Sequence, residues 1–154
     1  MEYLTGEFRV TLDDKGRLSL PAYLRRGLEE SRLYLTKGTG KCLWLYSSVE
    51  WNKLKDTIME NTDPFSKKFL NLRRQIIGPS QEVEIDKAGR IPVASSLREF
   101  ACLSKDCIVM GLIDYIEIWA EDRYREYLST ADDEYAVATE ELSITLKNKR
   151  GAEA

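Results

Sequence analysis

Two short stretches of this 154-residue chain set a carboxylate four positions ahead of a guanidinium, with a glycine between them. They are Asp13 and Arg17 around Gly16, and Asp86 and Arg90 around Gly89. At this spacing the two charges can meet across a tight turn and pin it. The same residues can also present cations outward. Lys15 sits at the turn, where folding does not need it, and a guanidinium beside exposed backbone N–H groups and a lysine forms a rim suited to phosphate. Arginine is also the side chain that reads guanine edges in the major groove. A structural pin and a phosphate rim both remain open readings of the Asp–Arg pair.

Other chemistries have less support. The chain has no histidine, which removes the commonest general base and the commonest transition-metal ligand. Its three cysteines, Cys42, Cys102 and Cys107, lack the spacing of a zinc site or a disulfide framework, and they read as small buried hydrophobes. Asp13 and Asp86 occupy equivalent places, as the two carboxylates of an aspartic-protease dyad do. Each has its own arginine, however, and that lowers a carboxylate pKa instead of raising it. We therefore expect no enzyme activity, no cofactor, no metal and no small-molecule substrate.

The elements that carry these turns are duplicated. A displacement of 73 positions lays residues 8–55 on 81–128 without a gap. Asp13, Gly16, Arg17, Leu24 and Arg25 fall on Asp86, Gly89, Arg90, Leu97 and Arg98, and Val10 and Gly38 fall on Val83 and Gly111. Phe8, Val10 and Leu12 alternate with Arg9 and Thr11 as in a half-buried strand, and Leu18 and Leu20 resume beyond the turn, so residues 7–20 read as a hairpin. Pro21 opens a short helix. Residues 33–37 and 42–46 form a second strand pair across Gly38-Thr39-Gly40. Ser47 with Glu50 begins a helix as a capping box, and Trp51, Leu54 and Ile58 form its apolar stripe. Asp63-Pro64 starts another helix, with Phe65, Phe69, Leu72 and Ile76 on one face. The second half repeats the order and adds helices near 121–128 and 132–142. Two copies suit a pseudo-two-fold domain better than a solenoid. The boundaries expected are 1–79 and 80–143 for the two repeats, each with a helical extension, and 144–154 for a flexible tail.

Net charge is −3 and the isoelectric point about 5.2, which by itself disfavours a nucleic-acid binder. The charge is unevenly placed, however: residues 1–75 are basic overall, and Asp132, Asp133, Glu134, Glu140 and Glu141 come late. Lys67, Lys68, Arg73 and Arg74 read as a solvated helix face or as an extension of a DNA surface. Trp44, Trp51 and Trp119 read as core or subunit interface more readily than as base-stacking platforms. No charged leader precedes an apolar run and no apolar stretch nears 18 residues, so a cytoplasmic protein without a membrane span is expected.

The string from Leu12 to Pro21, with Ile85 to Ile91 as its second copy, resembles the MraZ family of AbrB-like swapped-hairpin regulators. The resemblance runs from Phe8 to about Leu142. It implies an α+β fold, a duplicated swapped-hairpin barrel with flanking helices. It also implies a bacterial transcriptional repressor of the division and cell-wall gene cluster. Its partner would be double-stranded DNA carrying promoter direct repeats, bound by a nucleoid-associated homo-oligomeric ring. Transferred by position, Lys15 and Arg17 are the main DNA contacts, Arg9 is a phosphate contact, and Lys87 and Arg90 are the second motif's counterparts. Asp13, Gly16, Asp86 and Gly89 form the structural motif. The second copy departs at Ala88 and Pro92 and carries Glu82 and Glu84 on its strand. An unequal division is therefore expected, in which the first turn binds DNA and the second mainly completes the barrel. An adaptor barrel that recruits protein without DNA is the competing reading.

Overall fold

A computed structural model describes residues 3–28 and 32–153, and the chain divides into two compact units, 1–121 and 122–154. The first unit contains β1 (Leu4–Thr11), β2 (Arg17–Ser19), α1 (Ala22–Gly27), β3 (Arg32–Lys37), β4 (Leu43–Ser47) and α2 (Ser48–Asn61). It continues with α3 (Lys67–Leu72), a π-helical turn (Arg73–Ile77), β5 (Gln81–Glu84), β6 (Arg90–Pro92), α4 (Ser95–Phe100), β7 (Asp106–Ile113) and β8 (Ile116–Ala120). Beyond it run α5 (Glu121–Thr130) and α6 (Asp132–Glu153).

The strands of the two repeats are interleaved. One antiparallel sheet has the order β1-β7-β8-β4-β3-β5, and β2 pairs with β6 in a separate two-stranded ladder. Exchanging the repeats reverses the six-strand order onto itself, so a pseudo-two-fold axis passes between β8 and β4. It also passes through the Leu18–Ile91 pair of the ladder. The duplicated α+β swapped-hairpin architecture is therefore present, but closure comes from the ladder lying over an open sheet, not from a continuous hydrogen-bonded ring.

Residues 7–20 are not a self-paired hairpin. β1 pairs along its whole length with β7 of the other repeat, and β2 pairs with β6. A Leu12–Leu18 bridge and the Asp13 N–H donating to the Arg17 carbonyl link the backbones of the two arms near the turn. An alternating pattern specifies which side of a strand is buried, not which neighbour completes its ladder. The gapless register also fails at one place. Val10 faces Cys107, while its equivalent Val83 faces Leu33, so Leu33 corresponds to Cys107 at an offset of 74. Between the paired ends Gly111 and Ile116 the chain is one residue shorter than between Lys37 and Leu43, which restores the offset to 73 at β8. Gly38 and Gly111 are accordingly not equivalent.

Both sheets contribute to one apolar core, with Leu18, Leu24, Leu35, Leu45, Ile91, Leu97, Val109 and Ile118 fully buried. A second cluster of Tyr46, Trp51, Ile58 and Ile76 packs α2 and the π-helical turn beside β4. Trp51 and Trp119 are buried, in keeping with a core role. Ser47 caps α2 by accepting the Glu50 N–H at 3.3 Å. The helix expected from Pro64 begins only at Lys67. Asp63 instead accepts the Phe65 N–H at 2.8 Å in a local turn, and the helix loosens to π geometry at Arg73. Of its expected apolar face only Ile76 is buried, while Phe65 is 94% exposed. Cys42 and Cys107 are buried, but Cys102 is exposed.

In the second unit, residues 144–154 were expected as a tail, yet the chain is helical through Glu153. Asp132, Asp133 and Glu134 in the first turn of α6 and Arg150 in the last suit its dipole. Among the described residues no helix is long and apolar enough to cross a membrane.

A candidate nucleic-acid interface at the paired turns

Each Asp-x-x-x-Arg segment folds into the same closed turn. Asp13 Oδ1 accepts the backbone N–H groups of Lys15 and Arg17, both at 2.9 Å, and Oδ2 accepts Arg17 Nε at 2.8 Å. Asp86 repeats this with Ala88 and Arg90 N–H at 2.9 Å and Arg90 Nε at 3.2 Å. Gly16 and Gly89 lie at φ +76° and +78°, the left-handed region that a side chain disfavours. Local chemistry alone accounts for the turn: a carboxylate satisfies two backbone donors while its arginine closes the ring.

The β2–β6 ladder then sets the two turns side by side. Leu20 N–H donates to the Gly89 carbonyl at 2.9 Å, and Val93 N–H donates to the Gly16 carbonyl at 2.8 Å. Arg90 Nη1 reaches across to Asp13 Oδ2 at 3.3 Å, joining the repeats by an ion pair. Six of the residues singled out from sequence (Asp13, Gly16, Arg17, Asp86, Gly89 and Arg90) thus form one connected cluster, with Lys15 and Lys87 exposed at the two turns. The pin is real, but it does not use up the cations. Arg17 turns its Nε to Asp13 Oδ2, and among the described residues Nη1 and Nη2 have no hydrogen-bond partner, which leaves them available to another acceptor. Arg9 lies elsewhere, on edge strand β1, and pairs with Glu121 at 3.3 Å.

Both carboxyls sit below the ordinary carboxylate range. For each, the largest cause is the hydrogen bond from the backbone N–H of its own arginine, Arg17 for Asp13 and Arg90 for Asp86. A proton-sharing dyad would raise one of them. The sign for stability follows from linkage. A carboxyl with a depressed folded pKa contributes in full above its unfolded value, about 3.9, and the contribution is lost as pH falls through the lower folded value. We expect the thermal midpoint to fall below about pH 4 and the fall to flatten in Asp13→Asn combined with Asp86→Asn. Thermal melts from pH 3 to 6 check this; an unchanged slope in the double variant would rule out the carboxylates as its source.

The family model described as "MraZ protein, putative antitoxin-like" matches residues 3–72 and 76–144, which includes both turns. The chain belongs to the MraZ family. A protein named Transcriptional regulator MraZ from Treponema denticola is 43% identical over 139 residues, covering 90% of this chain and 96% of the relative. The protein of the same name from Treponema pallidum is 41% identical over 138 residues, covering 90% and 93%. That from Desulfitobacterium hafniense is 38% identical over 139 residues, covering 89% and 94%. All three relatives are named as transcriptional regulators.

Two further arginines of this MraZ chain belong to the cluster and were not singled out as site residues. Arg98 of α4 packs beneath Gly16, and Arg25 of α1 packs beneath Gly89. Their signal was present, since they are identical residues at equivalent positions. What was missing was the swap that carries each helix to the opposite turn. Arg73 is occupied otherwise: its Nε donates to Thr62 Oγ1 at 2.7 Å and its Nη2 to the Thr62 carbonyl at 2.8 Å, capping the end of α2. Lys67, Lys68 and Arg74 are exposed.

Proposed function

We propose that this chain is a sequence-specific DNA-binding transcriptional regulator that acts as a repressor of the division and cell-wall gene cluster. The observation that carries the reading is the pair of pinned, cation-bearing turns held together on one surface. Lys15 and Arg17 supply the main contacts, Lys87 and Arg90 lie beside them, and Arg9 contacts phosphate from the adjoining strand. The second turn has a larger part than its strand charges suggest. It carries one acid and two bases, whereas the first carries two of each, and Glu82 on its strand is paired with Arg32 at 3.4 Å. Asp13, Gly16, Asp86 and Gly89 keep the turns rigid, so little ordering cost falls on binding.

One pair of turns binds weakly, and affinity comes from several copies in a ring that engages direct repeats. Exposed Phe65, Phe69 and Leu72 beside Lys67, Lys68 and Arg74 offer one face for assembly. Exposed Tyr127, Leu128 and Tyr135 beside Asp132, Asp133 and Glu134 offer an oppositely charged one. Two different faces make a heterologous contact, the kind that closes rings. Uneven charge along the chain, basic overall over residues 1–75 and acidic at the start of α6, reconciles the acidic isoelectric point with nucleoid association.

The test is titration of the chain with DNA from its own upstream region across a salt series, with molar mass by light scattering in parallel. Binding is expected to be specific and to weaken steeply with salt, because each phosphate contact releases counterions. Absence of specific binding, with assembly intact, would favour the protein-recruiting adaptor.

A further inference from the structure

Each turn rests on a guanidinium supplied by the opposite repeat. A Cβ built on Gly16 would lie 2.8 Å from Arg98 Cζ, and one built on Gly89 would lie 2.6 Å from Arg25 Cζ. The slot left by each glycine is therefore filled by a planar guanidinium, a flat cation that stays charged at any working pH and that a lysine cannot mimic. Arg98 Nη1 also donates to the Val93 carbonyl, and the Val93 N–H donates to the Gly16 carbonyl. A chain of hydrogen bonds thus runs from α4 through the start of its helix to the turn of the other repeat. Arg25 occupies the symmetric place, with its Nε buried and without a hydrogen-bond partner among the described residues. Leaving that donor unsatisfied costs stability. The guanidinium packs under the turn, with its Nη1 and Cζ against Gly89.

We infer that Arg25 and Arg98 are crossed positioning residues for DNA binding: Arg98 sets the Lys15–Arg17 turn and Arg25 sets the Lys87–Arg90 turn. The inference rests on the reading of these turns as the DNA surface. Neither arginine needs to touch DNA. Each holds flat the backbone on which the contacting cations stand, and the ladder between β2 and β6 carries the support from one repeat to the other. Mutations in one repeat's helix therefore act on the other repeat's turn.

Double-mutant cycles on the full chain with upstream DNA test the crossing. Arg98→Ala is expected to weaken binding about tenfold, and Lys15→Ala should then cost much less than it does in the wild type, because groups acting through a shared element are not additive. Lys87→Ala should keep its full effect in the same background. Arg25→Ala is expected to give the mirror pattern. Additive effects in every pairing, or coupling to the turn of the same repeat, would overturn the proposal. Hydrogen exchange of the free protein separates the inference from the functional reading. Arg98→Ala should speed exchange in a peptide spanning 12–18 and leave 85–91 unchanged, and Arg25→Ala should do the reverse. Crossed exchange without any DNA binding would keep the support and remove the function; uncrossed exchange would remove the support. If an alanine variant does not fold, Arg98→Lys keeps the stem and the charge without the flat plate and should show the same crossed pattern. A lysine variant indistinguishable from wild type in binding and exchange would show that charge alone suffices and would overturn the proposal.

Discussion

Arg17→Ala is expected to remove specific DNA binding at moderate salt, while Lys15→Ala weakens it measurably and lowers its salt dependence. Arg17 has two roles in one side chain. Its Nε closes the turn on Asp13 Oδ2, and among the described residues the rest of its fork has no partner. Removing it deletes a contact and leaves Asp13 with Arg90 as its remaining ion partner, 3.3 Å away, so negative charge faces the phosphates. A hydrogen bond to a charged group contributes about 1.5–3 kcal/mol, or roughly 10- to 100-fold in affinity per engaged copy. In an assembly the change occurs in every copy at once, so losses multiply. Arg17→Lys should fall between wild type and alanine, because an ammonium keeps the charge and loses the planar fork. Fluorescence anisotropy with labelled upstream DNA, with light scattering to confirm unchanged assembly, checks the series. Binding of Arg17→Ala within twofold of wild type would refute the placement of the site.

The largest expected effect on stability lies directly beneath those turns. Leu18→Ala and Ile91→Ala should each cost about 2–5 kcal/mol, the range for a large aliphatic deleted from a well-packed core. Both side chains are fully buried and face each other at the centre of the β2–β6 ladder. That ladder is the link that lays the turns together, so the cavity would form where both repeats meet. Because the two residues are in contact, the double variant should cost less or more than the sum of the singles, not equal it. Urea unfolding at fixed protein concentration measures this, since assembly makes apparent stability concentration-dependent. A loss of unfolding free energy under about 1 kcal/mol for either variant would show that the site repacks and that the ladder is not the seam of the core.

The two predictions rest on different kinds of information. That residues 13–17 and 86–90 form turns was legible in the chain. Asp, Gly and Arg at fixed separations have few ways to satisfy a tight reversal, and the structure uses the expected one. The alternation of Phe8, Val10 and Leu12 likewise announces a strand, and Ser47 with Glu50 announces a helix start. These are short-range facts, decided by a handful of neighbouring atoms. The pairing of that strand was not legible. β1 could complete its hydrogen bonds with β2, as a plain hairpin, or with β7, and the local pattern is the same in either case. Pairing with β7 also lets Leu18 and Ile91 close over a common core.

The fate of the apolar residues at 65–76 shows the same limit from the other side. Their spacing matches one helix face, but only Ile76 finds a place against the second cluster, and Phe65, Phe69 and Leu72 remain outside it. Periodicity records that a face needs a partner, not whether the partner lies within the chain. Arg25 and Arg98 give the converse case. In sequence they are two basic residues on short helices, and they become the floor of the opposite turns only when the repeats cross.

Taken by itself, the chain determined its duplication, its two pinned turns, the absence of histidine chemistry and its kinship, because each depends on residue identity at short or repeated spacing. Only the tertiary structure decided that the repeats interleave, that Arg90 reaches Asp13, and that each turn stands on its neighbour's arginine. The arginine contacts join residues more than 60 positions apart, and such pairs are selected by the burial of a shared core, a property no local stretch of sequence contains.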